Sequence, residues 1–257
     1  MGARSGFVRH AVVAFACAIL VSGCSSGPSA ASSTHRESWS LVALGDSVPR
    51  GSNCECTPYP ELSASSLTVP ATRQVTATND AVDGFTSADV LTQLRTDPDV
   101  ASDLANADVV EIEIGANDVA YSRSCRTSVA CYQPMIRSTE HNLAEIVARV
   151  DELTVGHNVL VVLLDYWSVW LGGQYAEAEG PAYVHAAAAV TDQINTAVKG
   201  TAVQTGCAYV DLRAAFKGPD YAYDETRYLA SDGDHPNAAG HRQIAASVVA
   251  VVSQTPH

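Results

Sequence analysis

The sequence predicts an α/β domain of three layers, with helices on both faces of a five-stranded parallel sheet. Beyond residue 40, short apolar runs rich in β-branched residues alternate with longer stretches whose apolar side chains recur every three or four positions. That rhythm belongs to strands joined by helical crossovers. Two of the runs stop abruptly at glycine and polar residues, Leu41 to Leu44 at Gly45-Asp46-Ser47 and Val109 to Ile114 at Gly115-Ala116-Asn117-Asp118. In an open parallel sheet, strand ends of this kind lie on the edge where ligands bind.

Residues 1–23 stand outside the fold. Arg4, Arg9 and His10 precede an apolar stretch, Ala11 to Val21, too short to span a bilayer comfortably, which is the pattern of an export signal. Its end, Val21-Ser22-Gly23-Cys24, resembles a bacterial lipobox. That implies lipidation of Cys24, two or more acyl chains for firm anchoring, and a lipoprotein on the extracytoplasmic side of the cell membrane. An ordinary secretory signal, giving a secreted protein, is the alternative. Residues 24–40 (CSSGPSAASSTHRESWS) are rich in Ser, Ala, Gly and Pro and carry too little apolar surface to offset the entropy of ordering, so they read as a tether. Residues 41–257 fit one domain with a sizeable core.

Within that domain the strand candidates are Leu41 to Leu44, Gln74 to Ala77, Val109 to Ile114, Val159 to Leu164 and Ala208 to Val210. Between them Ser87 to Leu94, Ser138 to Leu153 and Pro181 to Val203 carry apolar stripes able to cover a sheet face, and read as crossover helices. The last helix follows Asn237, a suitable N-cap, with Ile244, Val248, Val251 and Val252 as its docking stripe. The segments after Gly51, from Ser122 to Pro134 and from Ser168 to Ala182 read as loops on one rim, where substrate selection would reside.

The formal charge of the whole chain is −13. Without the signal, 13 basic residues face 28 acidic ones. Nucleic acid is excluded as a partner, and neutral or cationic substrates would be tolerated best. Of the cysteines outside the signal and lipobox, Cys125 and Cys131 can close a small loop, Cys54 and Cys56 can pair locally, and Cys207 is left in a buried strand. Zinc at Cys54-Glu55-Cys56 is a poor alternative, because no histidine or further cysteine stands near in sequence. No metal or organic cofactor is expected.

Ser47 follows a strand and a glycine, a position open to solvent and substrate, and Pro49 and Gly51 are expected to keep a regular helix from starting at once. A serine hydroxyl is a weak nucleophile and needs a base. Asp232-Gly233-Asp234-His235-Pro236-Asn237 supplies a histidine with an acid three residues before it. Alone, each piece is a common turn or cap. Together Ser47, Gly84, Asn117 and His235, in this order, resemble the four name-giving residues of the SGNH hydrolases, the GDSL esterase and lipase family. Val48 stands where the family name has leucine, which keeps the neighbour apolar.

The resemblance implies a flavodoxin-like strand order with the site at the carboxyl ends of the strands. It also implies hydrolysis of a small-molecule or lipid ester through an acyl-serine. Ser47 would be the nucleophile, His235 the base, and Asp232 the acid that orients the imidazole; Asp234 competes for that last role. The N–H groups of Ser47 and Gly84 and the amide of Asn117 would form the oxyanion hole, glycine at 84 letting the backbone approach without a Cβ. Asp46 would serve only local hydrogen bonds in the turn. Gly23-Cys24-Ser25-Ser26-Gly27 satisfies GxSxG but lies in the lipobox and tether, a false match. Trp167 and Trp170 would either line a pocket or pack in the core, and Asp118 and Tyr121 have no assigned role. The chain is read as a monomer. Acyl transfer or glycan O-deacetylation at the same serine, and a non-catalytic envelope-binding lipoprotein, are the competing functions.

Overall fold

Leu41, Val42, Ala43 and Leu44 are wholly buried at the heart of the first strand. The computed structural model describes residues 1–2 and 37–255; the export signal, Cys24 and most of the tether lie outside the described residues. Strand β1 spans Glu37–Gly45, β2 Arg73–Asn79, β3 Val109–Glu113, β4 Leu160–Leu164 and β5 Ala208–Val210. All pair in parallel, in the order β2-β1-β3-β4-β5. This is the flavodoxin-like order, and its switch point, where the chain reverses its direction of travel across the sheet, falls between β1 and β3.

Strand β1 starts within what the sequence assigns to the tether. Glu37 to Ser40 pair with Arg73 to Thr76, and the Arg73 guanidinium lies 4.1 Å from the ring centroid of Trp39. The polar composition of Glu-Ser-Trp-Ser hides this stretch, because it belongs to the half-exposed end of the strand.

The helices are α1 (Ser47–Arg50), α2 (Tyr59–Leu67), α3 (Ser87–Thr96), α4 (Pro98–Leu104), α5 (Val129–Leu153), α6 (Gly173–Ala178), α7 (Pro181–Thr205), α8 (Leu212–Lys217) and α9 (Ala238–Val252). Helix α5 packs against α3 and α7, while α2 and α8 pack against α9, giving the two outer layers. Asn237 caps α9, its side chain accepting from the N–H groups of Ala239 and Gly240 at 2.7 and 3.1 Å.

Three expectations are corrected. Helix α5 starts nine residues before Ser138, with Pro134 inside it. The proline sits in the second turn, where its missing N–H costs a single intrahelical bond. The buried Tyr132 and the Cys125–Cys131 disulfide hold that end down. The segment from Ser168 to Ala182 is not all loop, since it contains α6. Finally, a one-turn helix does begin at Ser47, because Pro49 in a first turn displaces no intrahelical hydrogen bond; Gly51, left-handed at φ +84°, ends it.

Strand β3 carries two glutamates, Glu111 and Glu113, that are wholly buried. Burial pushes both carboxyls well above the usual carboxylate range, and the nearby Asp46 pushes Glu113 further the same way. They lie beside Ser63 and Tyr59 of α2, and burial favours their neutral form, because an ionised carboxylate at that depth costs several kcal/mol. The disulfides are Cys54–Cys56 and Cys125–Cys131, and Cys207 is a free, half-buried thiol raised by burial. Among the described residues no helix is long and apolar enough to cross a membrane.

Candidate active site

The chain leaves β1 through Gly45, whose φ of +148° and closeness to β3 admit only glycine: a Cβ there would lie 2.1 Å from the Glu113 carbonyl oxygen. Asp46 then caps α1, its Oδ1 accepting the Val48 N–H at 3.0 Å and its Oδ2 accepting the Tyr166 hydroxyl at 2.6 Å. Burial raises its pKa to about 6, with these hydrogen bonds opposing the shift. Asp46 thus makes the local bond expected of it, which fixes Ser47 as the first helical residue, and in addition a distant one to Tyr166 that the turn alone does not imply. At that position the Ser47 N–H has no intrahelical acceptor and stays free to donate.

His235 stands on the turn before α9, 188 residues from Ser47, yet its Nε2 lies 2.9 Å from Ser47 Oγ. On the other side of the ring, Nδ1 lies 2.8 Å from Asp232 Oδ2. Asp232 Oδ1 accepts the backbone N–H groups of Asp234 and His235 at 3.0 and 3.1 Å. Burial pushes the Asp232 carboxyl up, but those two N–H groups, the imidazole and the Asn53 amide outweigh it and hold the carboxyl below the usual range. An ionised Asp232 selects the imidazole tautomer that carries hydrogen on Nδ1 and leaves Nε2 free to accept from Ser47. Asp232, not Asp234, holds the ring; Asp234 lies on the wall of the adjoining cavity.

Asn117 follows β3 in a single 3-10 turn, and its Nδ2 donates to the Phe85 carbonyl at 2.9 Å. One amide hydrogen is used there; the other remains available toward the cavity that Asn117 lines. The contact also ties Asn117 to the loop that carries Gly84. A second tie comes from Asp118, which accepts the Ser87 N–H at 2.8 Å and the Ser87 hydroxyl at 2.6 Å. That loop is held against β1 by the Val82 N–H donating to the Gly45 carbonyl at 3.1 Å. Gly84 has φ +78°, and a Cβ added there would meet no protein atom within 4 Å. The left-handed backbone by itself favours glycine here.

The cavity beside Ser47 and His235 holds about 340 Å³. Tyr121, Trp170 and Tyr183 form one wall, their ring centroids 5.1 to 5.3 Å apart. Packed that closely they leave no slot between rings and present a single aromatic face. Trp170 is anchored by its Nε1 donating to the Val119 carbonyl at 2.7 Å, whereas Trp167 stacks on Phe216 at 4.4 Å. Both tryptophans are nearly buried and both line the cavity, so the packing and pocket roles coexist. The acidic side chains on the lining are Asp46, Asp234 and Glu179, beside the His235 ring, with no lysine or arginine among the lining residues.

Two neighbours escaped the sequence. Asn53, left-handed at φ +58°, donates to Asp232 Oδ2 at 2.6 Å. His241 of α9 lies so that one ring nitrogen and the sulfurs of Cys54 and Cys56 fall within 4.8 Å of one another, the histidine neighbour that sequence spacing does not show. The group does not fit a metal. Its sulfurs are joined, and His241 Nδ1 accepts the Tyr59 N–H at 3.2 Å. The neutral ring therefore carries its hydrogen on Nε2, which makes that nitrogen a donor, not a ligand.

A model of the GDSL-like lipase/acylhydrolase family matches residues 43–243. Among solved structures, the chain is similar to the lipase Lip_vut3 from a goat rumen metagenome, with a TM-score of 0.62 and 18% identity over 83% of this chain and 97% of that one. It is similar also to the acetylxylan esterase Axe2 of Geobacillus stearothermophilus, with a TM-score of 0.61 and 20% identity over 86% and 97%. TesA gives a TM-score of 0.56 and 19% identity over 83% and 97%. At these identities the likeness is one of fold. No curated protein matches the sequence.

Proposed function

Because the chain belongs to the GDSL-like lipase/acylhydrolase family, we propose that it is a serine esterase that hydrolyses neutral carboxylic esters through an acyl-serine intermediate. The observation that carries this reading is the continuous relay from Ser47 Oγ through His235 to Asp232, with links of 2.9 and 2.8 Å. His235 takes the Ser47 proton as Oγ attacks the ester carbonyl, then delivers it to the leaving alcohol; water repeats the cycle on the acyl-enzyme. Asp232 stabilises the imidazolium formed on the way. The carbonyl oxygen gathers negative charge, met by the N–H groups of Ser47 and Gly84 and by the Asn117 amide.

The aromatic wall and the acidic mouth favour an uncharged substrate with an apolar portion. A cavity of about 340 Å³ suits a short or medium group at the reacting carbonyl, on either the acyl or the alcohol side. Lipidation at Cys24 and anchoring to the outer face of the cell membrane rest on the lipobox resemblance, and Cys24→Ala would then release the protein from membranes. For the activity, p-nitrophenyl acetate and longer homologues are the assay: the wild type turns them over, and Ser47→Ala, folded by circular dichroism, does not. Full activity in Ser47→Ala would refute the assignment.

A further inference from the structure

The five residues that follow Gly51 touch both halves of the site. Ser52 donates from its hydroxyl to Asp83, the neighbour of Gly84. Asn53 donates to Asp232 Oδ2 at 2.6 Å, and its amide nitrogen lies 3.3 Å from His235 Nδ1. Oδ2 therefore receives two donors at once, the imidazole and the asparagine. The segment is held in a conformation it would not adopt freely, since Asn53 and Glu55 are left-handed at φ +58° and +49°. Its far end is closed by the Cys54–Cys56 disulfide, which lies against the buried His241 of α9.

We propose that Asn53 is a positioning residue for the Asp232–His235 pair, and that the Cys54–Cys56 bridge is the latch that keeps it there. The inference rests on the serine esterase reading. By donating to Oδ2, Asn53 fixes the carboxylate plane and stabilises the anion. It thereby limits how strongly Asp232 draws the imidazole proton, so that the imidazolium formed on attack still gives its proton up to the leaving alcohol. Without the latch the segment relaxes toward right-handed backbone and the amide leaves Oδ2.

The left-handed position dictates the variants. Asn53→Gly keeps the backbone conformation and removes the donor; Asn53→Asp keeps shape and backbone but puts a second negative charge beside Asp232. With p-nitrophenyl acetate, Asn53→Gly should lower kcat about 3- to 10-fold with KM within 2-fold, the loss of one charge-assisted hydrogen bond at a half-exposed carboxylate. The acidic limb of kcat/KM should move to higher pH, further still in Asn53→Asp. Cys54→Ser/Cys56→Ser should reproduce the Asn53→Gly profile, and the triple variant should be no worse than Asn53→Gly alone. A ¹⁵N NMR titration of the His235 ring reads the same shift without turnover, so it stands even if no ester is hydrolysed. An unmoved titration and pH profile in Asn53→Gly would overturn the positioning role. Effects of the bridge and Asn53 that multiply independently would overturn the latch.

Discussion

Asp232 and Asp234 flank one glycine, and only the former faces the imidazole, so replacing each by asparagine separates their roles. Asp232→Asn preserves shape but removes the charge that Oδ2 offers to His235 Nδ1 at 2.8 Å. A charge-assisted hydrogen bond of this kind is worth about 1.5–3 kcal/mol. A second loss comes from the tautomer: an amide –NH₂ turned toward the ring donates to Nδ1, moves the imidazole hydrogen to Nε2 and leaves no acceptor 2.9 Å from Ser47 Oγ. The side chains of His235 and Asp232 are 17% and 31% exposed, so water softens both effects. A total of about 3–4 kcal/mol corresponds to roughly 10²- to 10³-fold in kcat at 1.36 kcal/mol per decade. Asp234→Asn breaks no hydrogen bond to the ring, which Asp232 holds, and should stay within about 3-fold of wild type, since a charge at the cavity wall that makes no hydrogen bond to its neighbour contributes about 0–1 kcal/mol. Steady-state kinetics on p-nitrophenyl acetate, with circular dichroism to certify folding, decides between them. A loss in Asp234→Asn equal to or larger than that in Asp232→Asn refutes the reasoning.

Asn117→Ala should lower kcat by about 10²- to 10³-fold with little change in KM, as removal of an oxyanion donor does; a defect confined to KM would deny it that role. Because burial raises the pKa of Glu113 above its unfolded value, the folded chain keeps a proton that the unfolded chain has lost above about pH 4.3, and stability falls as pH rises through that window. Asp46 and Asp165, raised to about 6 and about 7, act in the same sense. Glu113→Gln should therefore gain stability relative to wild type on going from pH 5 to pH 8 in urea unfolding, and an equal difference at both pH values would contradict it. With Asp234 and Glu179 at the mouth and no basic side chain but His235 on the lining, esters with an anionic acyl group should show about 3- to 10-fold lower kcat/KM than neutral isosteres at low salt, a gap that added salt and Glu179→Gln both narrow. Equal rates for the two would discard charge selection.

The sheet was legible because buried parallel strands need continuous apolar runs, and Val159 to Leu164 and Val109 to Ile114 are such runs. Ser47, Asn117 and His235 are visible for a related reason: the first two lie just past strands whose ends the sequence marks, and the third just before a helix whose start Asn237 marks. Position in sequence carries less about contacts made across the fold. Asn53 lies in a loop without periodicity, and its partner Asp232 is 179 residues away. Glu111 and Glu113 alternate with Val and Ile as if one face of the strand met water, but both are wholly buried beside residues of α2, and burial cannot be read from the letter of an acid. Asp118 is similar: only the folded chain shows it gripping Ser87 beside the Gly84 loop. For Gly84 the fold adds a second reason for glycine, the left-handed φ of +78°, which the letter alone does not show.

The central claim is that Ser47 is a nucleophile activated by His235. Incubation with a fluorophosphonate, followed by intact mass and peptide mapping, tests it most directly. The account predicts one adduct, on the peptide containing Ser47, absent in Ser47→Ala and strongly slowed in His235→Ala. Labelling that maps elsewhere, or persists at full rate without the imidazole, would contradict it.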